Sequence, residues 1–279
     1  MKKIVLPAIL LCISTQVFAQ KWYAIAGFGL AIPQASQTLD IQGNPYNGNA
    51  TYSPVNDSIS SYSIKKASFS SGFKGIVGVG YNISPNISVE VIADMGIATT
   101  KYSSEEDNVL SFNKAYLANN KTTEFAKFPV MLIPSVVFQT AKPKLNIYGR
   151  LGIVIPVHNK ISIDVMSEYQ SVNFNTEEIA SDLTTRFNMG FAGAFGCKYL
   201  LAKGVHLWAE FSYMSISLYA KQTTITSHTT TQSQPITSLL PGTTITYGFS
   251  GQASATTQPT FSVPFSNMGL NAGINFDIK

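Results

Sequence analysis

The chain has 279 residues, 45% hydrophobic and 11% aromatic but only 12% charged, with 19 basic residues against 15 acidic ones. That balance gives no reason to expect a nucleic-acid partner. Past the N-terminal stretch no run approaches the ~18 continuous apolar residues of a membrane helix, the longest candidate, Phe128 to Phe138, being broken by Pro129 and Pro134.

The N-terminus reads as a leader. Met1-Lys2-Lys3 gives a positive start, Ile4 to Ile13 an apolar run and Val17-Phe18-Ala19 a small-residue cleavage site, the three parts of a secretory signal peptide. Residues 1–19 are expected to be removed and residues 20–279 to form one exported domain. Leu11 before Cys12 lacks the small side chain that lipid attachment needs, so simple cleavage is expected. Cys197 is then the one remaining cysteine, which rules out an intramolecular disulfide and reads as a small apolar strand residue.

From Trp22 onward the dominant period is two, the signature of strands. The first segment, Trp22 to Leu30, places Trp22, Ala24, Ala26, Phe28 and Leu30 on one face. A polar stretch from Ala31 to about Ala67 has loop composition, although Ile59 to Ile64 could extend a strand. The second and third segments make a hairpin from Gly72 to Ile97. Phe73, Val77, Val79 and Tyr81 oppose Lys74, Gly78, Gly80 and Asn82; beyond the Ser84-Pro85-Asn86 turn, Ile87, Val89, Val91 and Met95 oppose Ser88, Glu90, Asp94 and Gly96. Each arm is longer than the roughly five or six residues of a soluble strand and long enough to cross a bilayer at a tilt.

After polar residues to about Lys121 comes a fourth segment, Thr123 to Phe138, where a bulge is expected near Pro134 because proline removes a ladder donor. The fifth, Leu145 to Ile155, is expected to end at Pro156, and a polar loop follows to about Asp182. The sixth, Phe187 to Tyr199, turns at Leu201 to Gly204 into the seventh, Val205 to Tyr213. A Ser/Thr-rich stretch from Ala220 to Thr260 precedes the last segment, Asn267 to Asp277.

Short connections near Pro85, Lys142 and Ala202 alternate with four long ones, the asymmetry between periplasmic turns and surface loops in transmembrane barrels. Lys74, Glu90, Asp94, Arg150, Lys198, Glu210 and Asp277 all fall opposite the aliphatic face; the exception is Glu124, which by parity shares a face with Phe128 and Val130. A soluble lipocalin-like barrel also has eight strands, but its outer face would be crowded with Lys and Glu, whereas here the polar face is mostly Gly, Ala, Ser and Asn. The expected fold is all-β: an eight-stranded antiparallel up-and-down transmembrane β-barrel with long extracellular loops and both termini in the periplasm. Amphipathic rings favour membrane interfaces, so Trp22, Tyr81, Tyr199 and Phe276 are expected at the periplasmic edge and Phe69, Phe187 and Tyr213 at the outer edge.

In Gly75 to Glu90 with its Ser-Pro-Asn turn, Lys127-Phe128-Pro129-Val130, Tyr148-Gly149-Arg150-Leu151-Gly152 and the closing Phe265 to Phe276, the chain resembles the outer-membrane β-barrel proteins of Gram-negative bacteria related to the OmpA membrane domain and OmpX, the porin family in its broad sense. The resemblance covers most of the mature chain and specifies fold better than function. It implies residence in the cell outer membrane, contact with outer-membrane lipid and lipopolysaccharide, and handling by the outer-membrane assembly machinery.

No zinc motif, phosphate-cradling loop or cysteine pair is present, so no cofactor or metal is expected. Outer-membrane lipid deacylases, similar in size, use a His and a Ser two residues apart on one strand face; here Trp208 follows His206 at that spacing and Lys160 follows His158. His228 has Ser227 and Thr229 beside it, which point to the opposite face of a strand. No enzyme is expected. Glu105-Glu106-Asp107 and Glu177-Glu178 read as solvated loop charge.

The candidate site is a lumen charge network of Lys74, Glu90, Asp94, Arg150, Lys198 and Glu210. Counting from the short turns places Glu90 and Lys198 at one height and Asp94, Arg150 and Glu210 at another, with Lys74 a little above, since paired strands climb together. Three bases would meet three acids in a tube barely wide enough for its own side chains, and an unpaired charge there would be costly. The preferred reading is a structural or surface-interaction barrel with a plugged lumen and an unknown extracellular partner for its loops. A narrow pore or carrier of small apolar solutes and a lipid-modifying enzyme are the alternatives.

Overall fold

The structure, a computed structural model, describes residues 22–34, 48–52, 59–64, 67–110, 117–142, 144–170, 175–231, 240–250, 254 and 256–278. The expected leader lies outside the described residues. The strands are β1 (Trp22–Pro33), β2 (Gly48–Tyr52), β3 (Ile59–Ile64), β4 (Gly72–Asn82), β5 (Ile87–Thr99), β6 (Tyr102–Leu110), β7 (Leu117–Gln139), β8 (Leu145–Gln170), β9 (Asn175–Arg186), β10 (Gly190–Ala202), β11 (Val205–Ser215), β12 (Ser217–Thr230), β13 (Thr244–Gly248), β14 (Thr257–Pro259), β15 (Ser262–Pro264) and β16 (Asn267–Ile278).

Eight of these close on themselves. The antiparallel circuit runs β1, β4, β5, β7, β8, β10, β11 and β16 and returns to β1, so the barrel has no open edge to leave unsatisfied in lipid. Following paired residues once round, from Tyr23 through Gly80, Glu90, Ser135, Gly152, Ala192, Met214 and Asn267, reaches β1 again at Pro33. The strands are therefore tilted and staggered, as closure requires. These eight are the segments expected from the period-two pattern.

Three tight turns gather at one end. Ser84 Oγ accepts from the N–H of Asn86 and Ile87 at 3.3 and 3.1 Å, and the backbone of Gln139 donates to the Asn86 carbonyl at 2.9 Å, tying two short turns together. Gly204 takes φ +77° in the turn between β10 and β11, where a residue with a Cβ would be strained.

Alternation divides the wall. Phe28, Leu30, Val77, Val79, Val91, Leu151, Phe195, Phe211 and Leu270 point out and are exposed, whereas Tyr23, Lys74, Ile76, Glu90, Ile92, Tyr148, Trp208, Glu210 and Asn271 point in and are buried. Trp22 and Tyr81 meet with ring centroids 5.0 Å apart, tilted at 57°, at the short-turn end. Phe69, expected at the opposite membrane edge, is instead fully buried against Phe265 and Tyr102. It follows a polar stretch rather than lying in an alternating segment, and parity had no purchase on it.

The long connections depart most from expectation. Pro156 does not end the fifth segment: β8 continues to Gln170, paired with β7 along its length. Ile59 to Ile64 is β3, and β2, β3, β6, β9, β12, β13 and β14 join the upper halves of β7 and β8 in a sheet that rises above the barrel, with β15 paired to β12. The expected bulge is also displaced. Pro134 pairs in unbroken register with Val91, and on its other side Ile133 and Pro134 simply lack β8 partners while the register resumes unchanged. The register instead shifts at Phe128-Pro129, between the pairs Lys127↔Lys160 and Val130↔His158, and shifts back before Met131↔Pro156.

Phe128 has φ 48°, uncommon for a residue with a side chain, and its carbonyl lies 2.8 Å from His158 Nδ1. The irregularity takes in both strands and reverses the alternation on β7 across it. Glu124 is consequently buried with Ala126, Met131 and Ile133, while Phe128 faces out, which corrects the expectation that Glu124 shares the apolar outer face. The rising sheet has its own core of Ile161, Ile163, Leu183, Leu218, Tyr247 and Val263, continuous with Phe69 and Phe265 over the barrel mouth.

Candidate functional site

The lumen is built on glycines facing large side chains. Gly27 accommodates the Trp208 ring, Gly80 the Tyr23 ring and Gly78 the Ile92 side chain. The small residues of the polar face leave the room into which buried charges reach.

All six lumen charges meet there. Lys74 pairs with Asp94 at 2.6 Å. Arg150 spans two carboxylates, reaching Glu90 at 3.3 Å with one nitrogen and Glu210 with the other. Lys198 lies 3.5 Å from Glu90 and over the rings of Tyr23 and Tyr148, 5.0 and 4.9 Å from their centroids, where the ring quadrupoles favour a cation. The remaining lone pairs are also met: Tyr23 donates to Glu90 at 2.7 Å, Tyr148 to Glu210 at 2.7 Å and Asn271 to Glu210 at 2.9 Å. A desolvated charge cluster of this kind persists only when hydrogen bonds accompany the ion pairs.

The arrangement differs in height from the count along strands. Asp94 belongs with Lys74, and Arg150 reaches down to Glu90 as well as across to Glu210. The stagger of the closed sheet offsets strands that a count from the turns would set level.

What space remains is small. Between Lys74, Asp94, Arg150 and Asn271 the gap is about 20 Å³, enough for about one water molecule. Toward the short turns a polar vestibule of about 170 Å³ lies among Asn82, Asn146, Lys198, His206, Asn275 and Asp277. On the other side Met131, Ile133, Val154, Met214 and Ile216 are buried, leading into the apolar core above.

Two polar clusters escaped the sequence reading. Glu177 and His228, read as loop residues, are buried on the inner face of β9 and β12 and meet at 2.6 Å, with the Tyr169 hydroxyl donating to Glu177 at 3.1 Å. Alternation of Glu177 with Ile179, Ser181 and Leu183 is the signal that could have placed it inside. On the outer face, Asp182 is held between Lys127 at 2.7 Å and Lys160 at 2.6 Å. Burial alone would raise its carboxyl pKa, but hydrogen bonds and positive charge from the two lysines outweigh this and hold it below the ordinary value.

A carboxyl lowered in the folded state contributes stability above its unfolded pKa, about 3.9, and that contribution disappears as pH falls through the lowered value. The junction of β7, β8 and β9 is therefore expected to resist protease through mild acid and to loosen only below about pH 4. Asp182→Asn removes that acid step; a step of unchanged size in the variant would show that another group is responsible.

A closed eight-stranded barrel with an apolar outer belt and a polar interior defines an outer-membrane β-barrel protein. The model of the outer membrane protein beta-barrel domain family matches residues 23–233, and the chain belongs to that family and resides in the outer membrane. Among solved structures it is similar to the outer membrane protein W of E. coli, at 16% identity over 93% of this chain and 98% of that one, with a TM-score of 0.37. It is also similar to Ail, the attachment invasion locus protein of Yersinia pestis, solved with the heparin analogue sucrose octasulfate, at 10% identity over 92% of this chain and 97% of that one, with a TM-score of 0.29. No curated protein matches it in sequence.

Proposed function

We propose that this is a non-conducting, non-catalytic surface-display barrel: an outer-membrane anchor with its short turns in the periplasm and its long connections outside, holding up a β-sheet for contact with an extracellular partner. The observation that carries this reading is the filled lumen, where paired charges leave about 20 Å³ between them and buried Met131, Ile133, Val154, Met214 and Ile216 lie beyond. A solute crossing the barrel would have to break ion pairs and then displace packed side chains. The strands continued above the barrel support the display role, since side chains on a paired sheet keep fixed positions. The polar cluster nearest to a catalytic one, His228 with Glu177, is enclosed, at 3% and 2% side-chain exposure, and so offers no approach for a lipid substrate.

Two measurements test this. Purified protein in a planar bilayer is expected to stay silent; steady channels of porin size would overturn the plug. In whole cells, with Cys197 replaced, single cysteines at Ser60 or Thr229 should react with an impermeant reagent and those at Pro85 or Lys203 should not. The reverse pattern inverts the topology.

A further inference from the structure

The vestibule at the short-turn end is a blind pocket with donors on one wall and acceptors on the other. Its inner end is the ion layer, reached at Lys198 and Tyr23. On one side Asn146 of β8 and Lys198 of β10 are direct cross-strand partners. On the other, His206 of β11 pairs with Asn275 of β16, and Asp277 lies two residues further along β16 on the same face. The circuit runs β8, β10, β11, β16, which sets Asn146 and Lys198 across the pocket from Asn275 and Asp277.

Lys198, with 9% of its side chain exposed, uses one of its three donors in the 3.5 Å contact with Glu90. The Asn146 amide oxygen accepts from the backbone N–H of Lys142 at 2.8 Å, so its NH2 is the part of the amide without a partner among the described residues. The opposite wall is short of donors. Asn275 is 4% exposed, and its amide oxygen is enclosed with no hydrogen-bond partner. The half-buried Asp277 carboxylate meets no cation among the described residues. Leaving an enclosed acceptor unpaired is costly, and both groups of this wall call for a donor.

We propose that the vestibule binds a small α-amino acid as its zwitterion: the ligand carboxylate accepts from Lys198 and Asn146, and its ammonium donates to Asn275 and Asp277. A simple anion would leave the acceptor wall unmet and stand against Asp277. A simple cation would stand against Lys198. The volume of about 170 Å³ equals the share of roughly five or six waters at ~30 Å³ each, a size that suits alanine and excludes tryptophan. Because the ion layer closes the pocket behind it, the ligand is held and not passed on. In the orientation proposed above the mouth opens to the periplasm, although binding itself does not depend on orientation.

The test titrates the mature chain, refolded without a tag in an uncharged detergent, with alanine, propionate and ethylamine, which are similar in size and differ in charge. Calorimetry of wild type should show alanine bound at least tenfold more tightly than either of the others. Asp277→Asn should lose at least tenfold in alanine affinity and bind alanine no better than propionate, and Lys198→Met should lose the preference over ethylamine. Asp277 stands near the end of the last strand, outside the ion layer, so its variant tests the site even where Lys198→Met fails to fold. A residue that only braced the strand would not move the ratio of alanine to propionate. The proposal is overturned if propionate or ethylamine matches alanine in wild type, if none of the three saturates and the vestibule holds water only, or if Asp277→Asn keeps the wild-type selectivity. Each of those results leaves bilayer silence and surface labelling, the tests of the display reading, where they stand.

Discussion

Arg150→Ala is expected to be the most damaging single substitution in the lumen. Arg150 is the cation that contacts both Glu90 and Glu210, and those two side chains are 1% and 0% exposed. Its removal leaves Glu210 with hydrogen bonds from Tyr148 and Asn271 but no cation in direct contact, and Glu90 with the longer contact to Lys198. Breaking a buried ion pair from one side costs about 3–5 kcal/mol, which should appear as a lower urea midpoint for the barrel refolded in vesicles. The same variant should bring intermittent conductance to a protein that is otherwise silent, because a large side chain has left the narrowest layer. Replacing the whole group, Arg150→Met with Glu90→Gln and Glu210→Gln, should restore most of the stability, since a neutral, well-packed substitute for a buried ion cluster often costs little. If Arg150→Ala unfolds at the wild-type midpoint and stays silent, the network does not seal the lumen.

Much of this arrangement was legible in the residues themselves. Lipid outside and a crowded lumen inside impose opposite demands on successive side chains, so parity alone assigned Lys74, Glu90, Asp94, Arg150, Lys198 and Glu210 to the interior. The short turns at Pro85, Lys142 and Ala202 fixed the number of crossings. Heights were less legible, because the stagger that pairs Tyr23 with Gly80 at one seam and brings Asn267 back to Pro33 at the other leaves no mark on any single strand.

Above the membrane the reading weakened for a different reason. No lipid faces the upper halves of β7 and β8, and Ser, Thr and Asn can occupy both sides of a sheet in water. Ile161, Ile163 and Val165 do alternate with Ser162 and Asp164, but they follow Pro156 and a reversal of phase, which hid the continuation. Pro129 and Pro134 were equally plausible bulge sites by composition. Pro134 costs only ladder partners on the β8 side, whereas at Phe128-Pro129 the register itself shifts, and the rise of the sheet out of the barrel begins there.

Gly27→Val should be the second large effect, and it separates packing from charge. A Cβ at Gly27 would lie 2.5 Å from Trp208 Cζ2 and 2.6 Å from the carbonyl oxygen of Ala272. The indole could tilt, but the carbonyl belongs to β16, which runs in register with β1 through Gly27↔Gly273 and Phe28↔Ala272 and cannot retreat without opening the ladder. Trp208 has little room to move, being buried over the ion layer on the strand that carries Glu210. Overpacking of this kind costs about 1–3 kcal/mol, and the branched side chain adds two methyl groups beyond the clashing carbon. The neighbouring Ala26→Val is the control. Ala26 faces out between Val77 and Ile274, so the same addition meets lipid and should leave the urea midpoint almost unchanged. Equal loss in both variants would mean that strand propensity at this seam, rather than the space reserved for Trp208, sets the outcome; a loss confined to Gly27→Val, relieved by Trp208→Leu, would locate the cost inside the lumen.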